Sequence, residues 1–401
     1  MNAVTEAFLT FLSQGLRDLP ADRAPVLNRE QWQELFSLAQ AHKVLPLIFE
    51  SAYPQLSQTD PVLASGLKRQ ARQQVIVQTL RTAEFLELYR TLEEAGVTPL
   101  VVKGIVCRQL YPRPDHRPSS DEDLLIPPEQ FELCHRVMVA QGMICTSTVT
   151  NAYEVPYRRS DSPLYIELHK HLFSSGFGTD EEFNAFFADS FRTAVMQQAD
   201  GCTVRTLCPT DHMNYLLFHA FKHFLHSGFG IRQICDILLF AHRYDESIDW
   251  ERVLHSCRRI RAERFAAAVF AIGTRHLGFA SVGPWSEAVD ELPMLEDVLH
   301  AGIYGSAQRS RLHSSTITLE AAAAQKPTRG GILAAAFPSA RNLERRYPWL
   351  KKQPWLLPVA WVRRMSDYLM ETKHCPDSSL IDTLKIGRER LELLKQYDIL
   401  K

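Results

Sequence analysis

Residues 99–126, PLVVKGIVCRQLYPRPDHRPSSDEDLLI, decide how the rest of the chain is read. Leu100 to Val102 form a short apolar run with strand character, closed by a tight Lys103-Gly104 turn. One or two helical turns then run to about Tyr111. A loop rich in Pro, Asp, His and Arg follows, and Asp121-Glu122-Asp123 leads straight into Leu124-Leu125-Ile126. As a strand over 122–126, this stretch turns Asp121 and Asp123 to one face and Glu122 to the other, because side chains alternate. Carboxylates side by side on a strand face repel one another unless a cation lies between them. Magnesium is held through one or two protein carboxylates together with substrate phosphates. Asp-x-Asp also occurs as an ordinary solvated turn, so the surroundings carry the metal reading. A second strand-like run, Leu164 to His169, presents a third acid, Glu167, about forty residues further on. Strand, glycine turn, helix, paired acids and a distant third acid suit metal-assisted phosphoryl transfer.

The constellation of Lys103-Gly104, Tyr111-Pro112, Arg117-Pro118, Asp121, Asp123-Leu124-Leu125 and Glu167-Leu168-His169 resembles a known family. It is similar to the uncharacterised nucleotidyltransferases of the DNA polymerase beta-type superfamily. The segment 218–240, FHAFKHFLHSGFGIRQICDILLF, is similar to the helices that follow the catalytic part of that family, and the likeness covers roughly residues 30 to 260. Two positions depart from the pattern. Lys103-Gly104 stands where the wider superfamily has Gly-Ser or Gly-Gly, and Glu122 stands where the family usually has an apolar residue.

The resemblance implies a metal-dependent transfer of a nucleoside monophosphate from a nucleoside triphosphate, ATP among the candidates, to a hydroxyl acceptor. Asp121, Asp123 and Glu167 would hold magnesium or manganese, with Glu167 completing a second metal position or serving as base. Amides at Lys103-Gly104 would cradle phosphate, Lys103 and Arg117 would add charge, and His169 would line the cleft. No G-x-G-x-x-G or Walker A sequence is present to hold phosphate by another route. Three other readings stand beside this one: a nucleotide-binding scaffold without turnover, a metal-dependent phosphohydrolase, and a peripheral membrane or assembly protein.

The expected fold class is α+β, a small mixed β-sheet nucleotidyltransferase core between N-terminal helices and a C-terminal helical bundle. Four regions are expected: helical 1–96, an α/β core at 97–208, a helical domain at 209–314, and a basic, Trp-containing helical region at 332–401. Asn28 and Gln31 have capping-box spacing ahead of Trp32, Leu35, Phe36 and Ala39 on one face. A long helix from about Pro61 ends at Gly96, and another starts at Pro127-Pro128 and ends at Gly142. Strand-like runs at 143–149, 152–158 and 163–169 follow, then a hairpin of 193–198 with 202–207 across Asp200-Gly201. Helices are expected at 209–225, 231–243, 249–258 and 379–398. His219 and His223 lie four residues apart, but they lack the Glu of a zinc-binding H-E-x-x-H helix and read as structural.

Residues 341–364 carry seven Lys/Arg against one acid, Glu344, interleaved with Tyr347, Trp349, Trp355 and Trp361. Such a stretch suits an anionic membrane surface or a protein partner, or a basic hairpin docked on its own protein. A composition of 45% hydrophobic and 23% charged residues is that of a globular protein, and a net charge of −1 argues against coating nucleic acid. The N-terminus lacks the features of a secretory signal, and no apolar run approaches the ~18 residues of a membrane span. Eight scattered cysteines without a C-x-x-C are expected as free thiols in a reducing cytoplasm.

Overall fold

The computed structural model of the chain describes residues 1–19, 24–145, 154–173, 180–226, 228–301, 343, 347–351, 353–361, 363 and 389–400. Four helices open it: α1 (Ala3–Arg17), α2 (Arg29–Ala41), α3 (Leu45–Thr59) and α4 (Pro61–Glu94). Their starts follow from side-chain caps that satisfy otherwise orphaned amides. Asn2 Oδ1 accepts from the Thr5 amide at 2.8 Å, and Asp60 Oδ1 from Leu63 at 2.9 Å. Asn28 and Gln31 form the expected capping box. Trp32, fully buried, stacks between Phe11 and Phe36 with ring centroids 5.7 and 6.0 Å away. Gly96, at φ +84°, ends α4 in the left-handed conformation that glycine adopts at little cost.

Among the described residues, seven strands follow: β1 (Leu100–Val102), β2 (Glu122–Leu125), β3 (Ile144–Cys145), β4 (Glu154–Arg158), β5 (Tyr165–His169), β6 (Val195–Ala199) and β7 (Cys202–Thr206). They form one mixed sheet in the order β3-β4-β5-β2-β1-β7-β6. β1 runs antiparallel to β2 and parallel to β7, while β2 and β5 are parallel. The hairpin turn falls at Asp200-Gly201 as expected, both residues having positive φ as a type I′ turn requires. Of the strand expected at 143–149, Ile144 and Cys145 pair with β4, and residues 146–153 lie outside the described residues. The short helix α5 (Gly104–Arg108) follows β1. After a 3₁₀ turn at Pro128–Gln130, α6 (Phe131–Ala140) ends before Gly142 at φ +78°. Two short helices, α7 (Asp180–Ala185) and α8 (Ser190–Thr193), precede the hairpin.

The later helices are α9 (Pro209–His226), α10 (Ile231–Tyr244), α11 (Trp250–Arg259), α12 (Glu263–His276) and α13 (Leu292–Ala301). The architecture is therefore α+β. Contacts divide the chain into two compact units, one of Met1–Ala220 with Ile231–Glu291, the other of Phe221–Gly230 with Leu292–Lys401. Within the second, Arg390 pairs with Asp297 at 3.1 Å and donates to the Phe224 carbonyl, and the Tyr397 hydroxyl accepts from the Met294 amide.

In the basic segment, Leu343, Tyr347, Leu350 and Ala360 form a small buried cluster with Trp349 and Trp361 packed against it. Trp355 is 74% exposed. Arg341, Arg345, Arg346, Lys352 and Arg364 lie outside the described residues, as does most of the expected helix 379–398. Among the described residues, the cysteines are free and no helix is long and apolar enough to cross a membrane.

Candidate metal centre

The parallel pairing of β2 with β5 builds the centre. Its register sets Asp123 directly beside Glu167, and Leu125 beside His169, so the side chains of Asp123, Glu167 and His169 share one face. Ligand atoms of these three residues lie within 4.8 Å of one another. His169 Nε2 is 3.0 Å from Asp123 Oδ1 and 4.0 Å from Glu167 Oε2. An ionised Asp123 only accepts, so the proton of this bond sits on Nε2. Lys103 Nζ reaches the other oxygen of Asp123 at 3.5 Å, and both side chains are almost completely buried.

Charges in this pocket are unevenly held. Burial works against an ionised Asp123, but Lys103 and the bond from His169 outweigh it and keep its carboxyl well below the usual range. Glu167 moves the other way. Its burial, followed by repulsion from Asp123, Asp121 and Glu154, pushes its carboxyl up to about 9. Two like charges on adjacent strands thus cannot both ionise comfortably without a further cation. Asp121, half-buried just before β2, has the expected strand parity, yet it stands outside the close trio. A divalent cation fits the donor set. The two carboxylates are oxygen donors compatible with magnesium or manganese, and His169, whose Nε2–H is given to Asp123, orients one of them.

Glu122 explains the turn beside this centre. It points to the opposite face, fully buried, where Oε2 accepts from the Ile105 amide at 2.9 Å. Oε1 accepts from Arg108 Nη2 at 2.8 Å and from the Ser119 hydroxyl at 3.0 Å. The charged residue in an apolar position is therefore a paired helix cap. Lys103 (φ +61°) and Gly104 (φ +27°) both have positive φ, and a Cβ on Gly104 would overlap the Glu122 carboxylate. The lysine accepts a conformation that costs about 1–3 kcal/mol in a non-glycine residue.

His212, in the first turns of α9, supports this turn and was not singled out by any sequence motif. Its Nε2 accepts from the Lys103 amide at 3.1 Å. Thr206 Oγ1 donates to the Val101 carbonyl at 2.6 Å, so at 3.3 Å from His212 it must accept from Nδ1–H. This assigns a neutral imidazole with its proton on Nδ1. Complete burial agrees, pushing the histidine down to about 3.

Two sequence expectations are corrected here. The amides of Lys103 and Ile105 are taken by His212 and Glu122, so they are not available as a phosphate cradle. Arg117 does not reach the centre. It is buried in a two-pronged ion pair with Asp236 of α10, Nε at 2.7 Å and Nη2 at 2.6 Å, to which Tyr111 also donates. Lys103, Asp123, Glu167 and His169 are the predicted residues that the fold brings together.

Comparison with solved structures finds distant likenesses. One is the antibiotic-resistance factor ANT(2'')-Ia in solution, at 13% identity and a TM-score of 0.32, covering 46% of this chain and 95% of that one. Another is an antigenic nucleotidyltransferase-like protein from Paracoccidioides brasiliensis, at 12% identity and a TM-score of 0.33, covering 53% and 96%. No curated protein matches. The family described as "Uncharacterised nucleotidyltransferase" matches residues 28–278, which include β1, β2 and β5 with every residue of the centre. The chain belongs to that family.

Proposed function

We propose that this protein transfers a nucleoside monophosphate from a nucleoside triphosphate to a hydroxyl acceptor, with a divalent cation at the β2–β5 face. The observation that supports the proposal is the register pairing of Asp123 with Glu167, beside His169, with ligand atoms of the three residues within 4.8 Å of one another. Asp123 and Glu167 would hold the ion, Asp121 a second one or the water around it, and magnesium or manganese would neutralise charge on the pyrophosphate leaving group. His169 orients Asp123 through its Nε2–H bond. Lys103 keeps Asp123 ionised and stands beside the place where phosphate oxygens would lie. Burial and its acidic neighbours keep Glu167 protonated without an ion; a bound cation would favour its ionised form, which could then take the acceptor's proton. Gly104 lets the turn pass over Glu122 and keeps β1 and α5 in register with the centre.

The test is incubation of the protein and magnesium with each α-labelled nucleoside triphosphate and fractionated acceptors: small alcohols and sugars, proteins, and RNA. Label is expected to move to one acceptor class with release of pyrophosphate. Free nucleoside monophosphate without acceptor would instead mark a phosphohydrolase. No labelled product of either kind, with nucleotide still bound, would mark a binding protein.

A further inference from the structure

The segment Pro118–Ser120, immediately before Asp121, is gripped by three cations from three separate parts of the chain. Lys43, following α2, contacts the Ser120 hydroxyl; Arg81, from α4, contacts the Ser119 carbonyl; Arg232, from α10, contacts the Pro118 carbonyl. Arg81 also donates through Nε to the Pro163 carbonyl at 2.9 Å. All these partners are neutral. None of the three cations lies within ion-pair distance of a carboxylate among the described residues. Arg232 is 2% exposed, and its buried Nε has no hydrogen-bond partner. Buried charge is normally paired or bound to an ion of opposite sign, because removing it from water is costly.

The charges also oppose one another. Burial lowers the Lys43 ammonium, and Arg232, Arg81 and Lys103 press it the same way, with Asp121 partly offsetting them. The backbone at Lys43 points in the same direction. The Lys43 amide bonds to the Gln40 carbonyl at 3.0 Å, and the Val44 amide bonds to the Ala39 carbonyl at 2.9 Å. This is the Schellman pattern, whose left-handed residue is usually glycine, yet here it is a lysine at φ +52°. A residue that fits poorly by conformation has its charge aimed at the segment leading into the acids.

We propose that Lys43, Arg81 and Arg232 form a clamp for a polyphosphate, and that its occupant is the triphosphate tail of a nucleotide. The anion site stands on the three cations; the naming of a nucleotide rests on the nucleotidyl-transfer reading above. Metal-coordinating acids at Asp121, Asp123 and Glu167 and the clamp would then meet opposite ends of one metal–triphosphate complex. Arg81 and Arg232 still have guanidinium donors beyond those bonded to carbonyls, and guanidinium is well matched to phosphate oxygens.

The experiment is calorimetric titration of the full chain with inorganic tripolyphosphate in a chelator, with ATP as competitor, alongside Lys43→Gly and Arg81→Gln. Lys43→Gly removes the charge while easing the backbone, so it is expected to melt at or above the temperature of the unmodified protein. It should bind tripolyphosphate about tenfold to a hundredfold more weakly, the loss expected of one or two charge-assisted bonds. As a measurement free of any variant, tripolyphosphate should slow acetylation of Lys43, read by peptide mass spectrometry, and leave Lys68 unaffected. Unchanged affinity in folded Lys43→Gly, or Lys43 acetylation indifferent to saturating tripolyphosphate, overturns the clamp. Failure of ATP to compete overturns the nucleotide as occupant. Binding retained with no transfer in any acceptor screen removes the nucleotidyl-transfer reading and leaves the anion site standing. Transfer with an unchanged KM for nucleotide in Lys43→Gly does the reverse.

Discussion

Single side chains decide whether the turn at the centre is correctly set, and His212 is the clearest of them. It accepts the Lys103 amide only as a neutral ring, which its complete burial enforces. A base whose folded value is depressed stabilises the fold above its unfolded value and loses that contribution as pH falls. For His212 the window runs from about 6.5, the unfolded value, down to about 3. Urea unfolding across this range should show up to ~1.4 kcal/mol of stability lost per pH unit from this residue alone. His212→Gln should flatten that part of the curve; an unchanged slope would show that the imidazole is not the titrating group. No local pattern marks this role, because a lone histidine early in a helix has no periodic partner, and the amide it accepts from lies more than a hundred positions upstream. Glu122 was visible as an acid between two aspartates, but its meaning depends on Arg108 and the Ile105 amide, which only the folded turn brings to it.

Among the contacts that hold elements at the centre, the Arg117–Asp236 pair ties the loop before β2 to α10. Burial works against ionising Asp236, yet Arg117 outweighs it and lowers its carboxyl. The stabilisation is present above about 3.9, the unfolded value, and is lost as pH falls below it. Asp236→Asn leaves Arg117 buried without its counter-ion, and should cost about 3–5 kcal/mol at neutral pH by urea unfolding, with a shallower acid limb below about 3.9. A loss under ~1 kcal/mol would show that water reaches the guanidinium. At this scale much was legible. The alternation of residues in β2 and β5, the capping box of α2 and the Asp200-Gly201 turn are local patterns, and each element formed where its pattern lies. Parity alone put Asp121, Asp123 and Glu167 on a common face. Which of them come close depended on the parallel register, which local patterns do not contain. Likewise Lys43, Arg81 and Arg232 come from parts of the chain remote from one another in sequence, so nothing in any one window links them.

Across the whole molecule, the test of the centre is the response to ligand. Read from the sequence, neutralising Asp123 would relieve repulsion from Asp121. The buried Lys103 reverses that sign, because Asp123→Asn removes the buried carboxylate that its ammonium faces. The apo variant should be less stable by about 3–5 kcal/mol, whereas Asp121→Asn, half-buried and outside the trio, should leave the apo protein nearly unchanged. With magnesium and a nucleoside triphosphate at a hundredfold excess over the dissociation constant, the unmodified protein should gain about 2.7 kcal/mol. Asp123→Asn should lose that gain, and thermal melts with and without each component measure both effects. A metal-dependent gain surviving in Asp123→Asn would remove this residue from the ion's ligands.

The Arg117–Asp236 pair has a consequence during synthesis. β1, β2, β5 and β7 are complete once residue 206 has been made, so the whole acidic face can pair while α10 is still inside the ribosome. Arg117 then has no carboxylate to receive it, and burying an unpaired guanidinium is too costly for the loop to settle. Translation proceeds at roughly 5–20 residues per second, so in a chain whose sheet pairs as it emerges the loop into Asp121 would settle after the sheet, and chains stalled before residue 231 should be cut by protease in that loop. Closure of the centre would then be timed by the emergence of a helix that contributes no ligand to it.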